Sequence, residues 1–240
     1  MRIRTLLPAL GLAACAAALA GCDSALTLAP TGEVEESQAI VDAVSARAAL
    51  TGVYDALTSG SYYGGDFVFY NDLLSDNAEH SGTFDTYADA DANAMRSDDG
   101  TVEGVWDALY AAVGRANMLV ARLPDVEGLT DEERDQMLGE AHFVRALAYH
   151  DLVRTFGDVP IRTEPPTDIT EASQIARSPS ADVYAQIDAD LDQATLLMTE
   201  GAETGGATPG AVLALRARVK LYQGDWAGAE TAAAPAQSPW

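Results

Sequence analysis

Apolar residues recur at intervals of three and four along most of the chain. This spacing predicts amphipathic helices, because it places the apolar side chains of a helix on one face. The predicted helices cover residues 37–57, 101–123, 130–157, 178–198 and 208–222, and residues 226–233 form a short partner to the last of them. No segment shows the sustained alternation of a half-buried strand, so the predicted fold class is all-α.

Capping and breaking residues set the predicted helix ends. Thr130 with Glu133 three residues later forms a capping box at the start of the third helix, and Gly157 ends that helix. The other predicted ends fall at Pro124, at Ser178-Pro179 with the proline in the first turn, and at Thr208-Pro209.

The last two predicted helices form an antiparallel pair around the tight turn Gln223-Gly224-Asp225. Ala214 and Ala217 are small enough to let two helices approach closely, and Tyr222 is an aromatic residue that could fill the gap between them. The pair resembles a tetratricopeptide helix-turn-helix. A single such pair is weak support for a repeat array.

Residues 60–100 are the least helical part of the chain, and we predict an irregular loop region there. Aromatic residues stand beside polar groups in this region, a combination that suits sugars because their C–H faces stack on aromatic rings. We predict that Tyr63, Asp76, Asn77 and Tyr87 contact a ligand. The alternative is that the aromatic residues only cover the helical core. Trp106 falls on an apolar stripe and is predicted to be core.

The N-terminus has the features of an exported lipoprotein. Residues 1–21 combine a basic start, a short Ala/Leu-rich apolar stretch and small residues before a cleavage point. Leu19-Ala20-Gly21-Cys22 resembles the lipobox that is cut before the cysteine, and the Cys22 thiolate can accept lipid as a thioether. An ordinary signal peptide is the alternative. Residues 22–36 are predicted to be a tether, and residues 37–240 the helical domain.

The charge is strongly negative and excludes nucleic acid as a partner. The formal net charge is −23, and removal of the leader with Arg2 and Arg4 makes it −25. Lys220 is the only lysine against thirteen arginines, which fits either GC-rich codon usage or a surface adapted to high salt. Since Cys15 lies in the leader, the mature chain would contain Cys22 alone and no intrachain disulfide.

No sequence pattern predicts catalysis, a metal site or a cofactor. Asp89-Ala90-Asp91-Ala92-Asn93 begins like a calcium loop, but Ala94 and Gly100 stand where that loop needs glycine and glutamate. His142 and His150 are eight residues apart on one predicted helix, outside any His-Glu-x-x-His arrangement. We therefore expect a protein that is not an enzyme, holds no metal and needs no cofactor.

Short motifs in a fixed order resemble those of the SusD/RagB family of nutrient-binding lipoproteins. They are Leu26-Thr27-Leu28-Ala29-Pro30-Thr31-Gly32, Gly52-Val53-Tyr54-Asp55-Ala56-Leu57, Trp106 with Leu109-Tyr110, Arg115-Ala116-Asn117, Gly139-Glu140-Ala141-His142-Phe143-Val144-Arg145-Ala146, Phe156-Gly157-Asp158-Val159-Pro160, Val183-Tyr184 and Ala217-Arg218-Val219. The resemblance covers most of residues 23–231.

The resemblance implies a tetratricopeptide-like α-superhelix that is lipid-anchored on the outer face of the outer membrane. Members of the family capture glycans or peptides and pass them to a TonB-dependent, SusC-like transporter, without catalysis. Family members continue well beyond the point where this sequence ends, so we expect a domain truncated at its C-terminus. The competing hypotheses are a lipid-anchored tetratricopeptide scaffold for envelope proteins and, more distantly, an anchored hydrolase.

Overall fold

The computed structural model describes residues 39–165, 175–198 and 205–234, which form eight α-helices and one 3₁₀ turn. The helices are α1 Ala43–Leu57, α2 Asp66–Leu74, α3 Asp85–Asp91, α4 Gly100–Arg122, α5 Asp131–Phe156, α6 Ser180–Leu197, α7 Pro209–Tyr222 and α8 Trp226–Ala233, and the 3₁₀ turn is Leu123–Asp125. Within these ranges the only β pairing is two isolated bridges. The predicted all-α class is confirmed.

Local capping explains where the first and third predicted helices begin. The Thr130 hydroxyl accepts from the Glu133 N–H at 3.1 Å and the Glu133 carboxylate accepts from the Thr130 N–H at 3.0 Å, which confirms the capping box. The first helix begins at Ala43, later than the predicted residue 37. Asp42 caps it there, since its carboxylate accepts from the Ser45 N–H at 2.7 Å.

The start of α6 also differs from the prediction. The helix begins at Ser180, so Pro179 precedes the helix instead of lying in its first turn. The proline has no capping side chain, and the cap comes instead from the segment that follows α5. The Asp158 carboxylate accepts from both the N–H and the hydroxyl of Ser180, each at 2.7 Å. This contact spans 22 positions and could not be recognised from neighbouring residues.

The predicted irregular region at 60–100 is only partly irregular. It contains the short helices α2 and α3, which pack against each other. Tyr70 and Leu73 of α2 and Ala90 of α3 form a small buried cluster. A nine-residue and a seven-residue helix are too short to show a convincing periodicity, and their packing supplies the stability that isolated short helices lack.

Helix α5 is the centre of the domain. It packs along α4 on one side and α6 on the other, while α1 packs on α4 and α7 pairs with α8. The largest fully buried side chains include Tyr62, Leu109, Leu119, Tyr149, Leu152, Ile187 and Leu191. At the turn between α7 and α8, Gly224 adopts a φ of 75°, a conformation that favours glycine.

Gly139 allows the close approach of α5 and α6. A Cβ at this position would collide with the Met198 side chain and would lie 3.3 Å from the Cβ of Leu197. Glycine inside a helix normally costs stability, so its presence here is explained by packing.

A buried ion pair joins the same two helices farther along. Arg145 donates to the Asp190 carboxylate through Nε at 2.9 Å and Nη2 at 2.5 Å, and both side chains are almost fully buried. Arg145 Nη1 also donates to the Asn117 side chain of α4 at 2.8 Å. A buried arginine needs such partners, because an unpaired charge in the core is costly. Its acidic neighbours in sequence have other partners, since Asp151 binds Arg154.

The described helices include none that is both long and apolar enough to cross a membrane. The predicted leader 1–21, the lipid-bearing Cys22 and the tether 22–36 lie outside the described residues, so these boundaries stay predictions. The described residues from 40 onward group as one compact unit.

Candidate ligand-binding site

Two glycines form the turn that leads from α1 into α2. A Cβ on Gly65 would lie 2.5 Å from the carbonyl oxygen of Gly60, and one on Gly64 would collide with the backbone at Ser59. The Asp66 N–H donates to the Gly60 carbonyl at 2.8 Å and closes the turn. Only glycine fits this tight path, which directs the two tyrosines before it toward α5.

Tyr62 and Tyr63 stack on each other and share one acceptor. Their ring centroids are 4.3 Å apart, and their hydroxyls donate to the same oxygen of Asp151 at 2.7 and 2.6 Å. Burial, with the nearby Asp151 charge, raises the pKa of both tyrosines above the ordinary value. Tyr62 is fully buried, whereas Tyr63 is 39% exposed. The Tyr63 ring is therefore partly exposed at the surface, while its hydroxyl is fixed by the hydrogen bond to Asp151.

Arg154 connects this turn to the C-terminal helices. Its guanidinium donates to the second oxygen of Asp151 at 2.9 Å and lies over the rings of Phe67 and Tyr222, at 5.8 and 5.3 Å from their centroids. A cation between two aromatic faces is favourable when partly buried. The turn is thus fixed to α5 and α7.

Tyr87 organises a second aromatic group around α2 and α3. Its hydroxyl donates to Asp66 at 2.6 Å, and this hydrogen bond is the main cause that raises the pKa of Tyr87 to about 12. Its ring lies edge-on, at centroid distances of 5.7–6.4 Å, against Phe69, Tyr70, His80 and Phe84. Phe69 and Phe84 are 51% and 68% exposed. Exposed rings beside a carboxylate form a surface that suits a sugar.

The structure brings Tyr63 and Tyr87 to the same end of α2, where Tyr63 packs on Phe67 and Tyr87 binds Asp66. Asp76 and Asn77 lie in the turn that follows the other end of α2. A helix of this length separates the two pairs by roughly 13 Å. Both polar side chains are exposed, and Asp76 has a φ of 56°.

Trp106 packs against the main hydrophobic core, as predicted, but it is only half-buried and also lines a cleft. The cleft has a volume of about 490 Å³. It is lined by Arg96, Ser97, Asp98, Asp99, Val102, Glu103, Trp106 and Phe156. The Trp106 ring rests edge-to-face on Phe156, with centroids 5.0 Å apart. An indole beside acidic and basic side chains is a common arrangement for holding a sugar ring.

A smaller, mainly apolar cavity of about 190 Å³ adjoins the cleft and shares Val102 and Phe156 with it. Tyr70 lines this cavity, contacts Tyr87, and donates its hydroxyl to Asp99 at 2.9 Å. Tyr70 therefore links the aromatic group around Tyr87 to the Trp106 cleft. We call the surface formed by Tyr63, Phe69, Phe84, Tyr87 and the Trp106 cleft the aromatic face.

Another pocket, of about 470 Å³, lies between α1 and α5. Its polar groups are bound to one another. Glu140, at its floor, accepts from the Tyr54 hydroxyl at 2.5 Å and from the Gln136 amide at 3.0 Å, and Arg47 pairs with Glu133 at 2.6 Å. Tyr54, the aromatic residue in its described lining, is half-buried, so this pocket offers no ring as exposed as Phe69 and Phe84 of the aromatic face.

In the part of the chain that the structure describes, no three His, Cys, Asp or Glu side chains converge to hold a metal ion. The three histidines have separate surroundings. His142 binds Asp190 at 2.8 Å, His150 is buried against the Tyr222 ring, and the His80 ring lies against Tyr87. In the calcium-like sequence, Asp91 accepts from the backbone N–H of His80 at 3.2 Å.

The chain matches a family model described as SusD-like, starch-binding and associating with the outer membrane, over residues 26–221. Among named relatives, SusD-like protein P38 of Formosa agariphila is 27% identical over 218 residues, which are 89% of this chain and 42% of that protein. SusD-like protein P2 of the same organism is 29% identical over 181 residues, or 73% and 35% of the two chains. The chain thus spans less than half the length of these relatives.

Solved structures share the fold. A SusD homologue from Bacteroides thetaiotaomicron superposes with a TM-score of 0.76 at 23% identity, covering 86% of this chain and 42% of that one. A laminarin-binding SusD-like protein superposes with a TM-score of 0.73 at 25% identity, covering 82% and 44%. Because the family model covers far more than half of the sequence, the chain belongs to the SusD-like family.

Proposed function

We propose that this chain captures glycans on its aromatic face, as part of a non-enzymatic, lipid-anchored nutrient-binding protein of the outer membrane. The observation that supports this most is the aromatic face itself. Exposed Phe69 and Phe84 rings and the Trp106 cleft lie beside carboxylates, and the polar groups of Tyr63 and Tyr87 are already held in place. Preordered rings lose little entropy when a sugar stacks on them.

Binding of a panel of purified glycans, laminarin among them, tests this proposal. Isothermal titration calorimetry of the chain and of the variants Phe84→Ala and Trp106→Ala measures the contribution of the aromatic face. Each variant is expected to weaken binding about tenfold, because stacked aromatic contacts contribute on the order of 1 kcal/mol or more. Phe84 is 68% exposed, so its removal leaves the core intact.

Trp226→Ala is the matched control for Trp106→Ala. Trp226 is a tryptophan that is 70% exposed, and it lies on α8, outside the aromatic face. It is expected to leave glycan affinity unchanged. If no glycan binds, or if Trp226→Ala weakens binding as much as the two site variants do, the aromatic face is not the capture site.

We further propose that the protein delivers its ligand to a SusC-like TonB-dependent transporter and that Cys22 carries the lipid anchor. The family's association with the outer membrane and the lipobox-like sequence before Cys22 support this. Affinity purification from detergent-solubilised membranes is expected to recover the transporter. Recovery of other envelope proteins without any transporter would favour the scaffold hypothesis.

The anchor is tested separately. Mass spectrometry of the mature protein should find an acylated Cys22 at its N-terminus, and Cys22→Ala should abolish both lipid attachment and cleavage before residue 22. An unacylated product that retains residues 1–21 would contradict the proposed anchor.

A further inference from the structure

The aromatic face carries an excess of negative charge that its own cations do not offset. Residues 60–103 contain ten Asp or Glu residues and a single arginine, a formal charge of −9 with His80 neutral. Several of the acids are exposed, among them Asp76, Glu79, Asp85, Asp98 and Glu103. A dissolved polyanion approaching this surface meets repulsion from several charges at once.

The basic residues near the face are already occupied. Arg96 lies in the wall of the cleft and binds both oxygens of Asp98, with two distances of 2.9 Å. Arg154, brought to the same side by α5, donates to the buried carboxylate of Asp151 at 2.9 Å. Because each of these guanidinium groups is already neutralised by an acid, neither adds the net positive charge that would attract a sulfate or carboxylate on a ligand. The Tyr62 and Tyr63 hydroxyls donate to the same Asp151.

We propose that the aromatic face accepts uncharged glycans and rejects sulfated or uronate-rich ones. The carboxylates that repel anions are good acceptors for sugar hydroxyls, so the same groups that exclude a polyanion can bind a neutral chain. This inference rests on the proposed function, because it assumes that the aromatic face is the capture site. The selection acts at short range and weakens as salt screens the charges.

Laminarin and its chemically sulfated derivative are the test pair, since they share one backbone and differ in charge, and the panel adds other neutral, sulfated and uronate glycans. At low salt, about 20 mM, the tightest-binding glycans are expected to be neutral, and a sulfated derivative should bind at least about tenfold more weakly than its parent. The difference should shrink at about 0.5 M salt. A sulfated or uronate glycan that binds as tightly as the neutral ones overturns the inference and leaves the proposed function standing. Failure of every glycan overturns both.

Charge-neutralised variants give a second test, which compares the affinities of protein variants for one sulfated glycan and needs no comparison with a neutral glycan. The triple variant Glu79→Gln, Asp85→Asn and Asp89→Asn removes three charges beside the face and is expected to raise the affinity for the best sulfated glycan at least about fivefold at low salt. The control variant Glu127→Gln, Glu132→Gln and Asp135→Asn removes three charges at the far end of α4 and α5, roughly 30 Å away, and should change little. If both triple variants raise the affinity for the sulfated glycan equally, the repulsion comes from the net charge of the protein, and the proposal that the acids beside the aromatic face exclude anionic glycans is refuted.

Discussion

Loss of the Asp190 carboxylate is expected to be among the most damaging single changes in the described core. Asp190 receives two hydrogen bonds from Arg145, one contact from His142 at 2.8 Å and one from Gln186 at 3.1 Å. The exposed fractions of the Asp190 and Arg145 side chains are only 2% and 5%. The change Asp190→Ala would leave a buried guanidinium without its counter-charge, a defect that costs about 3–5 kcal/mol of unfolding free energy.

Urea unfolding followed by circular dichroism measures this cost. A domain of this size changes stability by roughly 2–3 kcal/mol per molar urea, so the midpoint of Asp190→Ala should fall by about 1–2 M. Asp192→Ala is the matched control on the same helix. Asp192 pairs with Arg216 at 2.8 Å but is 69% exposed, and such surface pairs contribute at most about 1 kcal/mol.

A double-mutant cycle separates the ion pair from simple packing. The double variant Arg145→Met with Asp190→Leu removes both charges, so it should be much less destabilised than the sum of its single variants. If the losses of unfolding free energy in the two single variants simply add in the double variant, or if Asp190→Ala loses no more than Asp192→Ala, the argument is refuted.

The hydrogen bonds from His142 and Arg145 hold the pKa of Asp190 below its ordinary value, although burial alone would raise that pKa. The contribution of the ionised carboxylate is therefore lost as the pH falls through that lowered pKa.

Three further changes test other parts of the domain. Burial lowers the pKa of His150 from 6.5 to about 4, so the folded protein resists protonation of this histidine and the unfolding free energy should fall by about 3 kcal/mol between pH 6.5 and pH 4. Urea titrations at several pH values measure this fall. The variant His150→Leu should make the unfolding free energy less dependent on pH. Gly139→Ala should lower the thermal midpoint despite the higher helix propensity of alanine, because the added methyl group meets the Met198 side chain. Adding Met198→Ala to this variant should recover part of the loss. A higher thermal midpoint in Gly139→Ala alone would contradict the close approach of α5 and α6. Asp99→Ala removes the α4 cap and the acceptor of the Tyr70 hydroxyl and should cost about 1–2 kcal/mol in chemical unfolding, whereas no loss would mean that this cap is dispensable.

The features that were predictable from the sequence depend on residues a few positions apart. The Thr130–Glu133 capping box, the helix start at Thr208 and the turn before Trp226 are examples, because a cap or a turn is made by neighbouring groups. The long helices α4 and α5 were predictable for the same reason, since their apolar spacing is repeated over many turns. The short helices α2 and α3 were missed because they depend on mutual packing.

The candidate site was only partly predictable. Tyr63 and Tyr87 were identified from aromatic composition, and the structure places both at one end of α2. The apolar stripe correctly predicted that Trp106 packs against the core, but such a pattern cannot show which part of the Trp106 ring a neighbouring helix leaves uncovered. Its cleft exists because the 96–99 segment and the end of α5 meet beside it.

The amino-acid sequence alone determined the helical class, the main helix boundaries and the family, because these follow from periodicity, caps and short motifs. Only the tertiary structure decided that Arg145 pairs with Asp190, 45 positions away, and that the Tyr62 and Tyr63 hydroxyls converge on Asp151, 89 and 88 positions away. The physical reason is that a buried charge or hydroxyl needs a partner, and which partner it meets depends on how the helices pack.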